Sequence, residues 1–218
     1  MTRRIGILGG TFNPIHLGHL AAAEEVRDRL SLETVLFIPS FLPPHKQENI
    51  PSAEERYEMV RLAISGNPKF SVSDIEIKRG GRSFTIETID ELREMHADAE
   101  LFFITGIDSF LEIRTWKEWQ RLLGSCTFVI LSREGARFSD LALLGLDDAA
   151  EGELRGLDER TLYELRVHMG TAAIVLLAIP RYEISSTDVR DRTRAGRSIK
   201  YLLPPAVEAY IIDHKLYA

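Results

Sequence analysis

Gly9-Gly10-Thr11-Phe12-Asn13-Pro14-Ile15-His16-Leu17-Gly18-His19 follows directly on the apolar run Arg4 to Leu8, and the reading of this junction decides the fold. The run before it reads as a strand. Leu17 to Leu30 after it reads as an amphipathic helix, with Leu20, Ala23, Val26, Arg27 and Leu30 near one face. A strand passing through a glycine pair into a helix is a βα unit. Gly9 and Gly10 let the backbone turn sharply and bring amides close to an anion with no Cβ in the way, and Thr11 adds a hydroxyl donor. The dinucleotide fingerprint and the P-loop Lys-Ser/Thr are both missing, so neither template applies.

Working outward, the alternation continues. Thr34 to Pro39 supplies a second strand, and the three prolines of Pro39 to Lys46 forbid regular structure there. Ser52-Ala53-Glu54-Glu55 is a capping-box pattern that opens a helix to about Ser65. Phe70 to Lys78 alternates as a strand, Ser83 to Met95 as a helix, and Glu100 to Thr105 as a buried strand. Trp116 to Leu123 reads as helix, and Thr127 to Ser132 and Ala173 to Ile179 as strands. Between those strands, Glu134 to Gly170 reads as a helical insertion covering the sheet. Ser185 to Ala195 is a helix closed by Gly196, and Pro204-Pro205 begins a last one to about His214, making 185–218 a C-terminal helical part. The pattern predicts an α/β fold with a Rossmann-like parallel sheet and helices on both faces, its ligand lying beyond the carboxyl ends of the strands. With 218 residues, a single domain over 1–218 is the expectation.

Composition narrows the function classes. Hydrophobic residues at 44% and charged residues at 28% are the balance of an ordinary globular chain. Acidic residues number 33 against 27 basic ones, a net charge of -6, which argues against nucleic acid or anionic lipid as partner and makes any phosphate affinity local. The lone cysteine, Cys126, precedes Thr-Phe-Val-Ile-Leu and reads as the edge of a buried strand. The first residues run straight into a strand without a leader pattern, and no apolar run is long enough to span a bilayer, so the cytoplasm is the expected compartment.

Two segments carry the chemistry. His16 and His19 stand three residues apart at the opening of one helix, which puts both imidazoles on nearly the same face, with Gly18 leaving space between them. Imidazole donates a hydrogen bond to a bridging oxygen and, when protonated, brings positive charge near it. The same pair could hold zinc, but no third ligand stands at a suitable spacing, so no metal site is assigned. The second segment, Ile184-Ser185-Ser186-Thr187-Asp188-Val189-Arg190, sets hydroxyls at a helix start and a forked guanidinium one turn on. Helix capping alone accounts for the hydroxyls; together with early amides and Arg190 they make an anion cradle suited to the outer phosphates of a triphosphate.

These two segments together resemble the HxGH nucleotidyltransferase superfamily and, within it, the bacterial nicotinate-nucleotide adenylyltransferases. Pro43-Pro44-His45-Lys46, Ser83 to Thr88, Thr105 to Ser109 and Thr115-Trp116-Lys117 fall in that family's order, so the resemblance covers nearly the whole chain. It departs at Asn13, where many members have Asp, and in the longer stretch Glu134 to Gly170. The resemblance implies attack of the 5′-phosphate of nicotinate mononucleotide on the α-phosphorus of ATP, with Mg²⁺ accompanying ATP and no protein nucleophile. It implies His16, His19, Lys46 and Arg190 as the catalytic set. Gly9, Gly10, Thr11, Phe12, Gly106, Asp108, Ile184 and Ser186 then bind ATP, and Thr85, Trp116 and Lys117 bind the nicotinate nucleotide. A homo-oligomer is compatible with this. The alternatives are a related transferase acting on phosphopantetheine and a nucleotide-binding sensor without turnover.

Overall fold

Strand formation follows the apolar runs. The computed structural model describes residues 2–42, 50–147 and 149–218. Its elements are β1 (Arg3–Gly10), α1 (Leu17–Arg29), β2 (Thr34–Pro39), α2 (Ala53–Ile64), β3 (Phe70–Val72), α3 (Ile75–Arg79), α4 (Thr85–Met95), β4 (Ala99–Gly106), α5 (Ile107–Leu111) and α6 (Trp119–Leu123). They continue with β5 (Thr127–Leu131), α7 (Glu151–Asp158), β6 (Glu164–Met169), β7 (Ala172–Leu177), α8 (Ser186–Arg194) and α9 (Pro205–Asp213), and 3-10 turns cover Ile113–Thr115 and Phe138–Leu144. The α/β expectation holds: β1 with β4, β4 with β5, β5 with β7 and β2 with β3 all pair in parallel.

Contacts group the chain into two compact units. The first comprises the chain through Leu8, Glu25–Glu33 and Phe84–Arg181; the second comprises Gly9–Glu24, Thr34–Ser83 and Tyr182–Ala218. In the first unit the strand order is β1-β4-β5-β7-β6. Phe128, Val129 and Ile130 are successive residues of β5, so their side chains alternate between faces, and all three are 0% exposed. Both faces of this sheet are therefore covered, the condition under which parallel strands read as continuous apolar runs.

The segment expected to be wholly helical contains a strand. β6 pairs antiparallel with β7, from Glu164 opposite Leu177 to Met169 opposite Ala172, and Gly170 turns the hairpin with φ of 61°. Leu165, Val167 and Met169 alternate with Glu164, Arg166 and His168, a period-two signal that the surrounding Leu, Glu and Arg obscured. Its charged outer residues suit an edge strand, since they discourage further pairing.

In the second unit β3 ends sooner than its alternation predicts. The ladder runs only from Val35 opposite Phe70 to Phe37 opposite Val72, with the Ser73 amide donating to the Phe37 carbonyl at 2.9 Å where it ends. The chain turns instead into α3, closed by Gly80 at φ of 68°. α2 forms where expected: the Ser52 Oγ accepts from the Glu55 amide at 3.1 Å while the Glu55 carboxylate accepts from the Ser52 amide at 2.7 Å. α8 is capped by the Ser185 hydroxyl, which accepts from the Asp188 amide at 3.0 Å. Among the described residues no helix is long and apolar enough to cross a membrane.

Ser52→Ala removes one half of the reciprocal cap on α2 and is expected to lower stability by about 0.5–2 kcal/mol, read as a reduced urea midpoint with unchanged slope.

Candidate active site

The carboxyl end of β1 opens the site. β1 runs on through Gly10, whose carbonyl accepts from the Ser40 amide at 2.9 Å, so the glycine pair is still strand. The sharp turn expected at Gly9-Gly10 is made instead at Phe12, with φ of 47°. That left-handed conformation costs a non-glycine residue about 1–3 kcal/mol. The buried Phe12 ring offsets it by packing edge-on against His19 at 5.3 Å and against Phe37 at 6.0 Å. Gly10 lies against the Phe12 ring: a Cβ there would sit 3.4 Å from it, an ordinary packing distance.

His16 immediately precedes α1 and His19 completes its first turn. The two rings stack with centroids 3.7 Å apart and planes 28° apart. His19 Nδ1 accepts a hydrogen bond from the His16 amide at 3.3 Å, so a neutral His19 carries its proton on Nε2 and presents that atom as a donor. Gly18 is required here for a specific reason. A Cβ at that position would meet His16 Nδ1 at 3.0 Å and Cε1 at 3.1 Å, so the space beside Gly18 is where the His16 ring sits.

The second segment closes on the first. Ser186 Oγ donates to the Pro14 carbonyl at 2.8 Å, and Arg190 Nη1 donates to the Asn13 carbonyl at 2.8 Å while its Nη2 reaches Thr187 Oγ1 at 3.0 Å. Segments more than 170 residues apart in the chain are thus joined through the loop between β1 and α1. Both acceptors of Arg190 are neutral oxygens, and among the described residues no ion pair to it is seen.

One residue of this site escaped the sequence reading. Arg56 on α2 is 1% exposed and is among the largest fully buried side chains. Its Nη1 donates to the Thr11 carbonyl at 2.7 Å, Nη2 to those of Ser40 at 2.6 Å and Phe41 at 3.0 Å, and Nε to that of Pro51 at 3.2 Å. Burial lowers its pKa from the usual arginine value, but four carbonyl oxygens around one guanidinium favour the charged form. Ala53, Arg56, Met59, Val60 and Ile64 are the buried residues of α2, so Arg56 lies on the core stripe of its helix. That position was the available signal, hidden because its acceptors are backbone atoms remote in sequence.

The remaining candidates lie in the first unit. Gly106 ends β4 and Asp108 stands in the first turn of α5, paired with Arg133 at 3.4 Å. A Cβ on Gly106 would collide with the Asp108 carboxylate, so the pair needs a glycine. Thr85 begins α4; Lys117 Nζ donates to Glu87 on the same helix at 2.6 Å and lies 4.6 Å over the Phe84 ring. Trp116 packs edge-on against Phe103 at 6.0 Å. It does not begin a helix as expected: it is extended, and Glu118 with φ of 49° delays α6 to Trp119. Lys46 lies outside the described residues. The thiol of Cys126 is pushed up to about 12 by burial, which makes it inert.

Residues 7–192 match the cytidylyltransferase-like family. A "Probable nicotinate-nucleotide adenylyltransferase" of Geotalea daltonii is 48% identical over 215 residues, 98% of each chain. A relative of the same name from Symbiobacterium thermophilum is 45% identical over 215 residues, 98% of this chain and 95% of its own. Among solved structures, Plasmodium falciparum nicotinic acid mononucleotide adenylyltransferase complexed with NaAD superposes with a TM-score of 0.74 at 20% identity, covering 99% of this chain and 97% of that one, a likeness of fold.

Gly18→Ala is expected to displace the His16 ring and shift its imidazole proton resonances, with the helix retained; unchanged resonances would show that the ring does not fill the space beside Gly18.

Proposed function

Because the chain belongs to the nicotinate-nucleotide adenylyltransferases of the cytidylyltransferase-like family, we propose that it transfers the adenylyl group of ATP to nicotinate mononucleotide, giving nicotinate adenine dinucleotide and pyrophosphate in NAD biosynthesis. The observation that carries this reading is the loop Thr11 to His19, which sets two stacked imidazoles at the end of β1 and is held by Ser186 and Arg190.

In the proposed reaction a 5′-phosphate oxygen of nicotinate mononucleotide forms a bond to the α-phosphorus as the bond from that phosphorus to the pyrophosphate oxygen breaks. The electron pair of the broken bond leaves with pyrophosphate, so the protein supplies position and charge stabilisation rather than a nucleophile. His19 donates from Nε2 to the α-phosphate region because its Nδ1 is already engaged by the His16 amide. His16 lies against it, and the Thr11 and Phe12 backbone serves the same phosphate. The Ser186 amide and the remaining N–H groups of Arg190 take the β and γ phosphates, near Ile184 and the start of α8, where the helix dipole adds to the attraction. Gly9 and Gly10 allow close approach, and Gly106 with Asp108 accepts the ribose hydroxyls. Lys46 is assigned charge neutralisation by family resemblance.

For the acceptor, Trp116 offers a stacking face and the backbone amides near Thr85 and Lys117 take the carboxylate. Using amides fits the observation that the Lys117 ammonium is engaged by Glu87. Among the described residues no three His, Cys, Asp or Glu side chains cluster as a metal cage. By family resemblance a Mg²⁺ would arrive with the triphosphate and would screen the charge of the departing pyrophosphate. On this reading residues 1–218 work as one nucleotidyltransferase in the cytoplasm.

His19→Ala is expected to lower kcat by about 10²–10³-fold, the usual loss for one well-placed donor, with little change in melting temperature. A pyrophosphate-release assay that compares nicotinate with nicotinamide mononucleotide tests the acceptor pocket. Preference for the carboxylate-bearing ring is expected, and equal turnover of the two would remove the amide pocket near Thr85.

A further inference from the structure

Beyond the residues that would touch substrate, we propose that Arg56 is a positioning residue for adenylyl transfer: by gripping the Thr11 carbonyl it fixes the Thr11–Phe12 peptide and aims the Phe12 N–H at the α-phosphate. The argument rests on the function proposed above and on the geometry of one peptide plane. Carbonyl and N–H of a trans peptide lie in one plane and point in opposite directions, so a donor that holds the Thr11 oxygen also sets the direction of the Phe12 amide. Phe12 adopts φ of 47°, a conformation that a loop free to relax would leave. The 2.7 Å bond from Arg56 Nη1 opposes that relaxation.

The grip is stiff because the guanidinium is fixed elsewhere. Its Nη2 binds Ser40 and Phe41 carbonyls where β2 ends, and its Nε binds the Pro51 carbonyl just before α2. Rotating the fork toward any new partner breaks these bonds together. Lysine carries the same charge but has one nitrogen on a flexible stem, so it cannot span acceptors on Thr11, Ser40, Phe41 and Pro51 at once. A buried cation beside the Thr11 oxygen also polarises that peptide and strengthens its N–H as a donor. Nothing in this arrangement requires Arg56 to touch a nucleotide, and its 1% exposure keeps it behind the loop.

Arg56→Lys and Arg56→Met are to be compared with the unaltered chain in three measurements. These are pyrophosphate release from ATP and nicotinate mononucleotide, thermal melting, and the slowing by ATP of amide exchange over residues 10–13. The expected result is cooperative melting of Arg56→Lys, kcat lowered about 10- to 100-fold, the KM for nicotinate mononucleotide within about twofold, and loss of the ATP-dependent slowing. Arg56→Met is expected to lose at least as much, and if it does not fold, the lysine variant decides. A folded lysine variant with unaltered kcat and unaltered slowing by ATP overturns the proposal. So does a loss that only follows the unfolded fraction. If the unaltered chain releases no pyrophosphate with any acceptor mononucleotide, the function reading fails on its own. ATP-dependent slowing at 10–13 and its loss in the lysine variant then still decide the role of Arg56, and the absence of any slowing in the unaltered chain overturns it.

Discussion

The loop between β1 and α1 is buried backbone that makes none of its key hydrogen bonds within itself. Phe12, Asn13, Ile15 and His16 are all buried, so the carbonyls around them must find donors in the protein. Arg56 serves Thr11, Arg190 serves Asn13 and Ser186 serves Pro14, from 45, 177 and 172 residues away. Leaving one such oxygen unmet costs about 1–3 kcal/mol, which is comparable to the strain held at Phe12. The shape of the loop, and with it the direction of its amides and the seat of both histidines, is imposed by these three side chains.

The same donors give the site its electrostatic character. The chain as a whole carries a net charge of -6, yet at this loop two guanidiniums bind only neutral oxygens. The amino-terminal ends of α1 and α8 add positive potential of the same sign. His19 is fixed in the same spirit. Engaging its Nδ1 with the His16 amide chooses the neutral tautomer and places the proton on Nε2.

Where local pattern and structure diverge, the cause lies in strand pairing or backbone geometry that the residue pattern does not state. Phe70 to Lys78 alternates as a strand throughout, but its pairing with β2 stops at Val72 and the chain enters α3 at Ile75. β6 was legible in its alternation of Leu165, Val167 and Met169, but its role depends on pairing with β7 across the Gly170 turn. Trp116 was expected to open a helix; the left-handed Glu118 interrupts it and leaves the ring extended from the end of a 3-10 turn.

Family, α/β class and the capping box of α2 were determined by the sequence alone, and the two segments Gly9 to His19 and Ile184 to Arg190 stood out there too, because each depends on residue types at short fixed spacings. Glycine before histidine, serine before glutamate and hydroxyl before arginine state their geometry within a turn or two of chain. Only the tertiary structure decided that the turn is made at Phe12 rather than at the glycines, that Gly18 makes room for the His16 ring, and that Arg56 holds the Thr11 carbonyl. Those features arise from backbone carbonyls and ring faces. Every residue carries the same carbonyl, so no residue pattern can say which one a distant guanidinium will bind until the chain has folded and buried it.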